Sequence, residues 1–257
     1  MSDNNNFDSV GRFSDRVENY VKYRPHYPNE IISFLNDECG FDKNKIIADI
    51  GSGPGISSEN FIANGNTVYA VEPNDDMRLA AEEIFAGSKN FISISGTAEA
   101  TALENDSIDF IISGQAFHWF DKEKCKPEFK RILKKDGYVI LIWNEKTESN
   151  DFMKAYYDLI KNYGTDYEKI NHANVNDEII SNFYSPQIFR KKYFLHRHPL
   201  DYKGLEGRLL SSSYIPLKGE IFKSMIAELK NIFDKYNVNG ITNMEYETRL
   251  YYGKLNS

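Results

Sequence analysis

Asp49-Ile50-Gly51-Ser52-Gly53-Pro54-Gly55 carries the strongest chemical signal in the chain. Glycine has no Cβ and tolerates positive φ, so a Gly-x-Gly-x-Gly loop between a strand and a helix brings backbone amides close to a ligand. Nucleotide-type ligands use such loops. A dinucleotide fingerprint needs a third glycine where Ile56 stands, and the absence of GxxxxGK[ST] excludes a P-loop. Asp49, just before the loop, opposes a pyrophosphate by its charge and suits a cationic amino group. Glu72 closes the next apolar run, where a carboxylate can accept from both hydroxyls of a ribose.

His118 is the one titratable side chain expected at the carboxyl edge of the sheet. Its ordinary pKa near neutrality suits a general base on a hydroxyl or amine. An acceptor already ionised needs no base, and His118 would then donate a hydrogen bond or pack beside Trp119; both roles stay open. No nucleophile–base constellation accompanies it, and no metal site is expected. His196-Arg197-His198 reads as a solvated strand end, and His26 and His172 have no visible partners.

These residues need a scaffold, and the chain supplies one by alternating short β-branched runs with helical segments from Ile46 to Trp143, the pattern of βαβ units. Strands are expected at 46–50, 67–72, 91–95, 108–113 and 138–143, with helices at 55–63, 75–85 and 122–133. Gly65-Asn66 and Asp136-Gly137 are expected to end helices by adopting positive φ. Beyond Asn144 an aromatic-rich helix, 151–163, opens a cap containing Phe152, Tyr156, Tyr157, Tyr163, Tyr167, Phe183 and Tyr184. Strands at 188–195 and 244–254, with helices at 202–210 and 221–236, complete the sheet. The expected fold is α/β: a Rossmann-like, seven-stranded, mostly parallel sheet with helices on both faces and an inserted, mainly helical cap. The divisions are an N-terminal arm over the cofactor site (1–45), a Rossmann-like core (46–144), the cap (145–187), and C-terminal strands and helices that complete the sheet and the substrate pocket (188–257).

The 257 residues are 41% hydrophobic and 27% charged with a formal net charge of −7, which disfavours nucleic acid as a partner. No apolar run is long enough for a membrane span. The polar start, Met1 to Asn6, reads as a frayed tail with no signal peptide, and Cys39 and Cys125 form no CxxC pair. A cytoplasmic, reducing location is expected.

Taken together the segments resemble class I S-adenosylmethionine-dependent methyltransferases, in the group of ubiquinone-biosynthesis-type and trans-aconitate methyltransferases. Residues 49–55 resemble the family's first motif, 71–77 its second-strand motif and 96–99 its adenine-side loop. Residues 111–120 and the arm Tyr23-Arg24-Pro25-His26-Tyr27-Pro28 resemble one subgroup, as does 211–216. The resemblance implies S-adenosylmethionine as cofactor, with S-adenosylhomocysteine as product. Asp49, Gly51 and Gly53 would contact its methionine end, Glu72 the ribose, and Pro73 and Met77 would flank the adenine. Thr97 and Ala98 would meet the adenine edge and Gln115 the sulfonium. Tyr20 and Arg24 would close over the cofactor, Arg24 pairing with its carboxylate. Tyr27, His118, Trp119, Trp143 and Tyr214 are the candidate acceptor residues. The acceptor implied is a small molecule, a carboxylic acid undergoing O-methylation. The alternatives are a non-catalytic cofactor-binding or regulatory module, a methyltransferase acting on a macromolecule, and a dehydrogenase.

Overall fold

A computed structural model describes residues 17–165 and 176–256. Tyr167, His172 and the N-terminal tail lie outside them. Strands β1 (Ile46–Ile50), β2 (Thr67–Val71), β3 (Phe91–Ile94), β4 (Ile108–Gly114), β5 (Leu133–Lys146), β6 (Phe189–Leu200) and β7 (Thr242–Lys254) form one sheet in the order β3-β2-β1-β4-β5-β7-β6. The first five pair in parallel and β7 runs antiparallel to both β5 and β6. This is the mostly parallel seven-stranded sheet that the alternating pattern predicts.

The sheet is buried on both sides because its strands are apolar at consecutive positions. In β4, Ile111 joins a cluster with Ile50, Val71, Phe117 and Phe129, while Phe110 and Ile112 join Ile31, Leu35 and Phe61 on the other face. Helix α5 (Lys122–Ile132) packs on the first face, and α2 (Glu30–Cys39) and α3 (Ile56–Ala63) on the second. Each fully buried leucine or isoleucine contributes about 1.5–3 kcal/mol relative to exposure. Helix α4 (Asp75–Ile84) follows β2, its first turn capped by Asn74, whose Oδ1 accepts from the Met77 amide at 2.9 Å.

The sequence-expected arm contains α2 and, before it, α1 (Val17–Tyr23). Helices α6 (Asp151–Tyr163), α8 (Tyr202–Leu210) and α9 (Gly219–Tyr236) share a further core with Leu200, Met244 and Tyr246. Between α6 and α8, α7 (Asp177–Tyr184) packs its Phe183 and Tyr184 back on the sheet.

Two expectations are corrected. Asp136 and Gly137 have no positive φ; both fall within β5, which begins at Leu133. A Cβ on Gly137 would meet Leu133 at 2.6 Å and the Asp109 carbonyl at 3.0 Å, so glycine is required there by close approach rather than by a left-handed turn. Residues 196–198 are not a strand end, because β6 runs on to Leu200. His196 stacks on Tyr246 at 5.4 Å, and burial lowers His198 to about 4. No metal-binding group occurs among the described residues, and none of their helices is long and apolar enough to cross a membrane.

Candidate functional site

The chain leaves β1 toward β2 and β3 on one side and returns through β4 to β5 on the other, so the carboxyl ends of β1 and β4 flank the switch point of the sheet. The glycine loop begins there. Gly51, Gly53 and Gly55 all have positive φ, at 68°, 55° and 90°. The Gly51 and Ser52 amides donate to the Val71 carbonyl at 2.9 and 3.2 Å, which ties the loop to β2. A Cβ on Gly51 would stand 2.6 Å from that of Ala116, and one on Gly55 would stand 2.4 Å from the Phe85 ring. Both glycines are therefore required by space as well as by φ.

Glu72 is buried beside the loop. Its Oε2 accepts from the Gly53 amide at 2.8 Å and its Oε1 from the Asn74 amide at 2.8 Å. Burial raises its pKa and these two amides oppose the rise. Two bonds leave lone pairs on both oxygens, since a carboxylate offers about four acceptor sites.

Asp49 lies beneath the loop at 0% exposure. Its Oδ2 accepts from the Ser57 and Ser58 hydroxyls at 2.6 and 2.7 Å, while Oδ1 has no hydrogen-bond partner among the described residues. Burial raises the carboxyl to about 6 against the pull of the two serines, with Glu72 adding to the rise. Ser57 and Ser58 open α3, so a helix N-terminus faces the carboxylate. Sequence reasoning missed this bracing, although serines eight and nine residues after the aspartate were a legible signal.

A cavity of about 200 Å³ opens at the switch point. It is lined by Tyr20, Gly51, Gly53, Glu72, Pro73, Met77, Thr97, Ala98 and Gln115, nine residues that the family resemblance assigns to a cofactor, together with Trp119. A smaller recess shares Tyr20, Gly51, Gly53 and Gln115 with it and continues past Arg24, Tyr27 and Asn144. Asp49 lines neither space. Gln115 holds φ at +58°, a strained value for a non-glycine residue; its amide donates to the Ile142 carbonyl and its side chain to the Asn144 carbonyl at 3.1 Å. Thr248 donates to the Asn144 side chain at 2.6 Å and so fixes the floor of the recess.

The acceptor candidates separate. Trp119 lines the cavity and Tyr27 the recess, whereas His118 lines neither, its ring lying 4.7 Å from that of Trp119 in the short 3-10 turn Phe117–Trp119. The assignment of Trp143 is corrected: it is 2% exposed and sits edge-on to Phe117 and Tyr251 in the core. Its position on β5 points it into the sheet's apolar face, which a strand-end reading could not resolve.

Tyr214 lies beyond the recess among residues drawn from several segments of the chain. Lys146, two positions after Asn144 on the same face of β5, donates to the Tyr214 hydroxyl at 3.3 Å and lies about 6 Å from the rings of Tyr156, Tyr157 and Tyr214. Arg208, 4% exposed, donates to the Tyr246 hydroxyl at 3.0 Å and to the Ser211 and Ser212 hydroxyls at 3.3 and 3.2 Å. Arg24 donates to the Ser211 carbonyl at 2.9 Å and lies over the Tyr20 ring at 4.5 Å, while its buried Nε has no partner among the described residues. Burial lowers the pKa of Lys146 and of Arg24. Burial would raise Tyr214, but Lys146 and Arg208, with a hydrogen bond to Ser212 and with Arg24, bring it down to about 8.

Residues 48–141 match a family model described as a methyltransferase domain. An uncharacterized methyltransferase of Schizosaccharomyces pombe is 32% identical over 154 residues, 59% of this chain and 60% of that protein. An uncharacterized methyltransferase of Mycobacterium tuberculosis is 29% identical over 148 residues, 58% of each chain. The chain thus spans about three fifths of the length of these relatives. A candidate type II methyltransferase of Anaeromyxobacter dehalogenans has the same fold, with a TM-score of 0.69 at 16% identity over 91% of this chain and 99% of that one. So has a candidate methyltransferase of an antibiotic biosynthesis pathway from Anabaena variabilis, with a TM-score of 0.65 at 22% identity over the same shares.

Proposed function

We propose that this chain is a class I S-adenosylmethionine-dependent methyltransferase that methylates a small organic acceptor, a carboxylic acid forming a methyl ester. The observation that carries this is the cavity at the switch point, where Glu72, the positive-φ glycines and Gln115 converge.

The residues fit the cofactor. Glu72 keeps lone pairs for two ribose hydroxyls after accepting its two amides. Pro73, Met77 and Ala98 offer apolar surface to an adenine ring. Gly51 and Gly53 let the backbone approach the methionine end, and the unpartnered Asp49 Oδ1 places negative charge beneath it. Arg24, with its Nε unused, is the cation for the carboxylate of that end. When bound, S-adenosylmethionine supplies an electrophilic methyl group on a sulfonium.

The remaining work belongs to the protein. Gln115, its backbone strained and its amide anchored on β5, holds the edge of the site, and Trp119 and Tyr20 exclude water from it. An in-line displacement needs the acceptor oxygen held about 3–3.5 Å from the methyl carbon and aligned with the breaking bond. S-adenosylmethionine held there would supply the methyl group and keep the electron pair of its carbon–sulfur bond on sulfur, and a carboxylate acceptor would become a neutral ester. No proton moves, so His118 has no base to be.

The test is transfer of a radiolabelled methyl group from S-adenosylmethionine into panels of small carboxylic acids, small amines and phenols, and total protein and RNA. Base-labile label in the carboxylic acid panel is the expected result. Label confined to amines, to phenols or to macromolecules would overturn the acceptor.

A further inference from the structure

The arm passes beside the site, and its backbone carbonyls from Pro25 to Pro28 are taken by side chains of two other elements. Asn60 of α3 donates through Nδ2 to the Tyr27 and Pro28 carbonyls at 3.0 and 3.3 Å. Asn144 of β5 donates through Nδ2 to the Pro25 and His26 carbonyls, each at 3.4 Å. Asn144 is itself held from the antiparallel end of the sheet. Thr248 faces it across the β5–β7 ladder and donates to its Oδ1 at 2.6 Å, and the Thr248 hydroxyl oxygen lies 3.2 Å from Nδ1 of His196 on β6. Asn144 and Thr248 are 5% and 0% exposed, so water competes little for these bonds. On its backbone side, the Asn144 carbonyl accepts the Gln115 side chain at 3.1 Å. One residue thus joins the arm, which carries Tyr20, Arg24 and Tyr27, to the strained Gln115 on the other wall of the site.

The direction of these bonds follows from proton counting. A hydroxyl has one proton, and Thr248 gives it to Asn144, so Thr248 can only accept from His196. His196 must then carry its proton on Nδ1, since the tautomer of an imidazole is set by the bond it makes. Burial lowers the pKa of His196, which favours the neutral ring, and stacking on Tyr246 fixes its plane. The chain therefore runs one way, from the His196 N–H to the Thr248 oxygen, from the Thr248 O–H to the Asn144 side-chain oxygen, and from the Asn144 amide to the arm. Reversed, Asn144 would set its oxygen against the Pro25 and His26 carbonyls and repel the arm. We propose that Thr248 and His196 are positioning residues for S-adenosylmethionine, which orient Asn144 so that it holds the arm over the cofactor in register with Gln115. Neither lines the cavity or the recess, so both act through Asn144.

This assignment rests on the cofactor reading of the cavity, and two readouts separate them. Chymotryptic cleavage after Tyr23 in the ligand-free protein reports the hold on the arm, and calorimetric titration with S-adenosylhomocysteine reports the cavity. Thr248→Val keeps the side-chain shape and removes the hydroxyl. It should speed the cleavage and weaken S-adenosylhomocysteine by about fivefold or more, the worth of the hydrogen bonds lost. Thr248→Ser, which keeps the hydroxyl, should stay within about twofold of wild type in both. Thr248→Val that matches wild type in either readout, or Thr248→Ser that fails to restore both, would overturn the positioning role. Where Thr248→Val does not fold, the His196 tautomer of the wild-type protein decides: long-range proton–nitrogen NMR at pH 7.5 should find Nδ1 protonated, and a proton on Nε2 alone would overturn the proposal. Wild-type protein that binds no S-adenosylhomocysteine would overturn the cofactor reading, and faster cleavage of Thr248→Val would then leave the hold on the arm standing.

Discussion

At the scale of single residues, Asp49 shows how a site can be built against stability. Its carboxyl is raised to about 6 by burial from an ordinary 3.8, so folding makes ionisation harder than in the unfolded chain, although the group is still ionised at neutral pH. Stability from this group is therefore fully present below about pH 4 and lost as pH rises through 6, with a ceiling near 3 kcal/mol. Asp49→Asn should unfold at higher temperature than wild type at pH 7.5, with the gap closing toward pH 4, in thermal scans without ligand. A lower melting temperature at pH 7.5 would contradict this assignment. His118 and Trp119 offer a second contrast, because only Trp119 lines the cavity. His118→Ala should leave turnover of a carboxylic acid within a few-fold, whereas the loss of about 10²-fold or more expected for a general base would return His118 to the chemistry. Trp119→Ala should raise KM.

At the scale of elements, most of the sheet was legible in the sequence because a two-face-buried strand advertises itself by consecutive β-branched residues. Ile46–Ile50, Asp151–Tyr163 and Tyr202–Leu210 are found at the bounds the pattern predicts. The longer β5 and β6 were not: β5 begins at Leu133, which pairs with Ile108 of β4 ahead of an irregular stretch to Tyr138, and Arg197 to Pro199, read as lying at a solvated strand end, are held in β6 by pairing with β7. Helix α1 was hidden because the arm was read as a cover for the cofactor, with Tyr20 closing over it, and not as a regular element. The structure gives α1 a specific seat, since a Cβ on Gly207 of α8 would come 2.1 Å from the Tyr23 ring. Gly207→Ala should cost about 1–3 kcal/mol by overpacking and lift α1 from α8. Limited proteolysis should then cut near Tyr23, and S-adenosylhomocysteine should bind more weakly because Tyr20 leaves the cavity wall. Unchanged proteolysis and affinity would show that α1 holds its place by other contacts.

At the scale of the whole molecule, the glycine loop and Glu72 could be read from spacing because each sits at the end of its own strand, while Gln115 was reached only through the family resemblance. Lys146 and Arg208, which surround the sequence-named Tyr214, could not, because they meet it only after β5, α8 and the segment beyond it have packed together. Arg208 left one faint trace: with Leu205 and Leu209 it falls at helical spacing on the apolar stripe of α8, where a charge has to be accounted for. The fold therefore divides its labour. The parallel half of the sheet supplies a site readable from local motifs, and the antiparallel end with its helices supplies groups that only tertiary structure assembles.

The central claim, that the switch-point cavity is an S-adenosylmethionine site anchored by Glu72, is tested most directly by calorimetric titration of the full chain. S-adenosylmethionine should bind one site per chain, and Glu72→Gln should weaken it by about ten- to a hundredfold, the worth of a charged acceptor for two hydroxyls. Absence of S-adenosylmethionine binding, or an affinity indifferent to Glu72→Gln, would contradict the account.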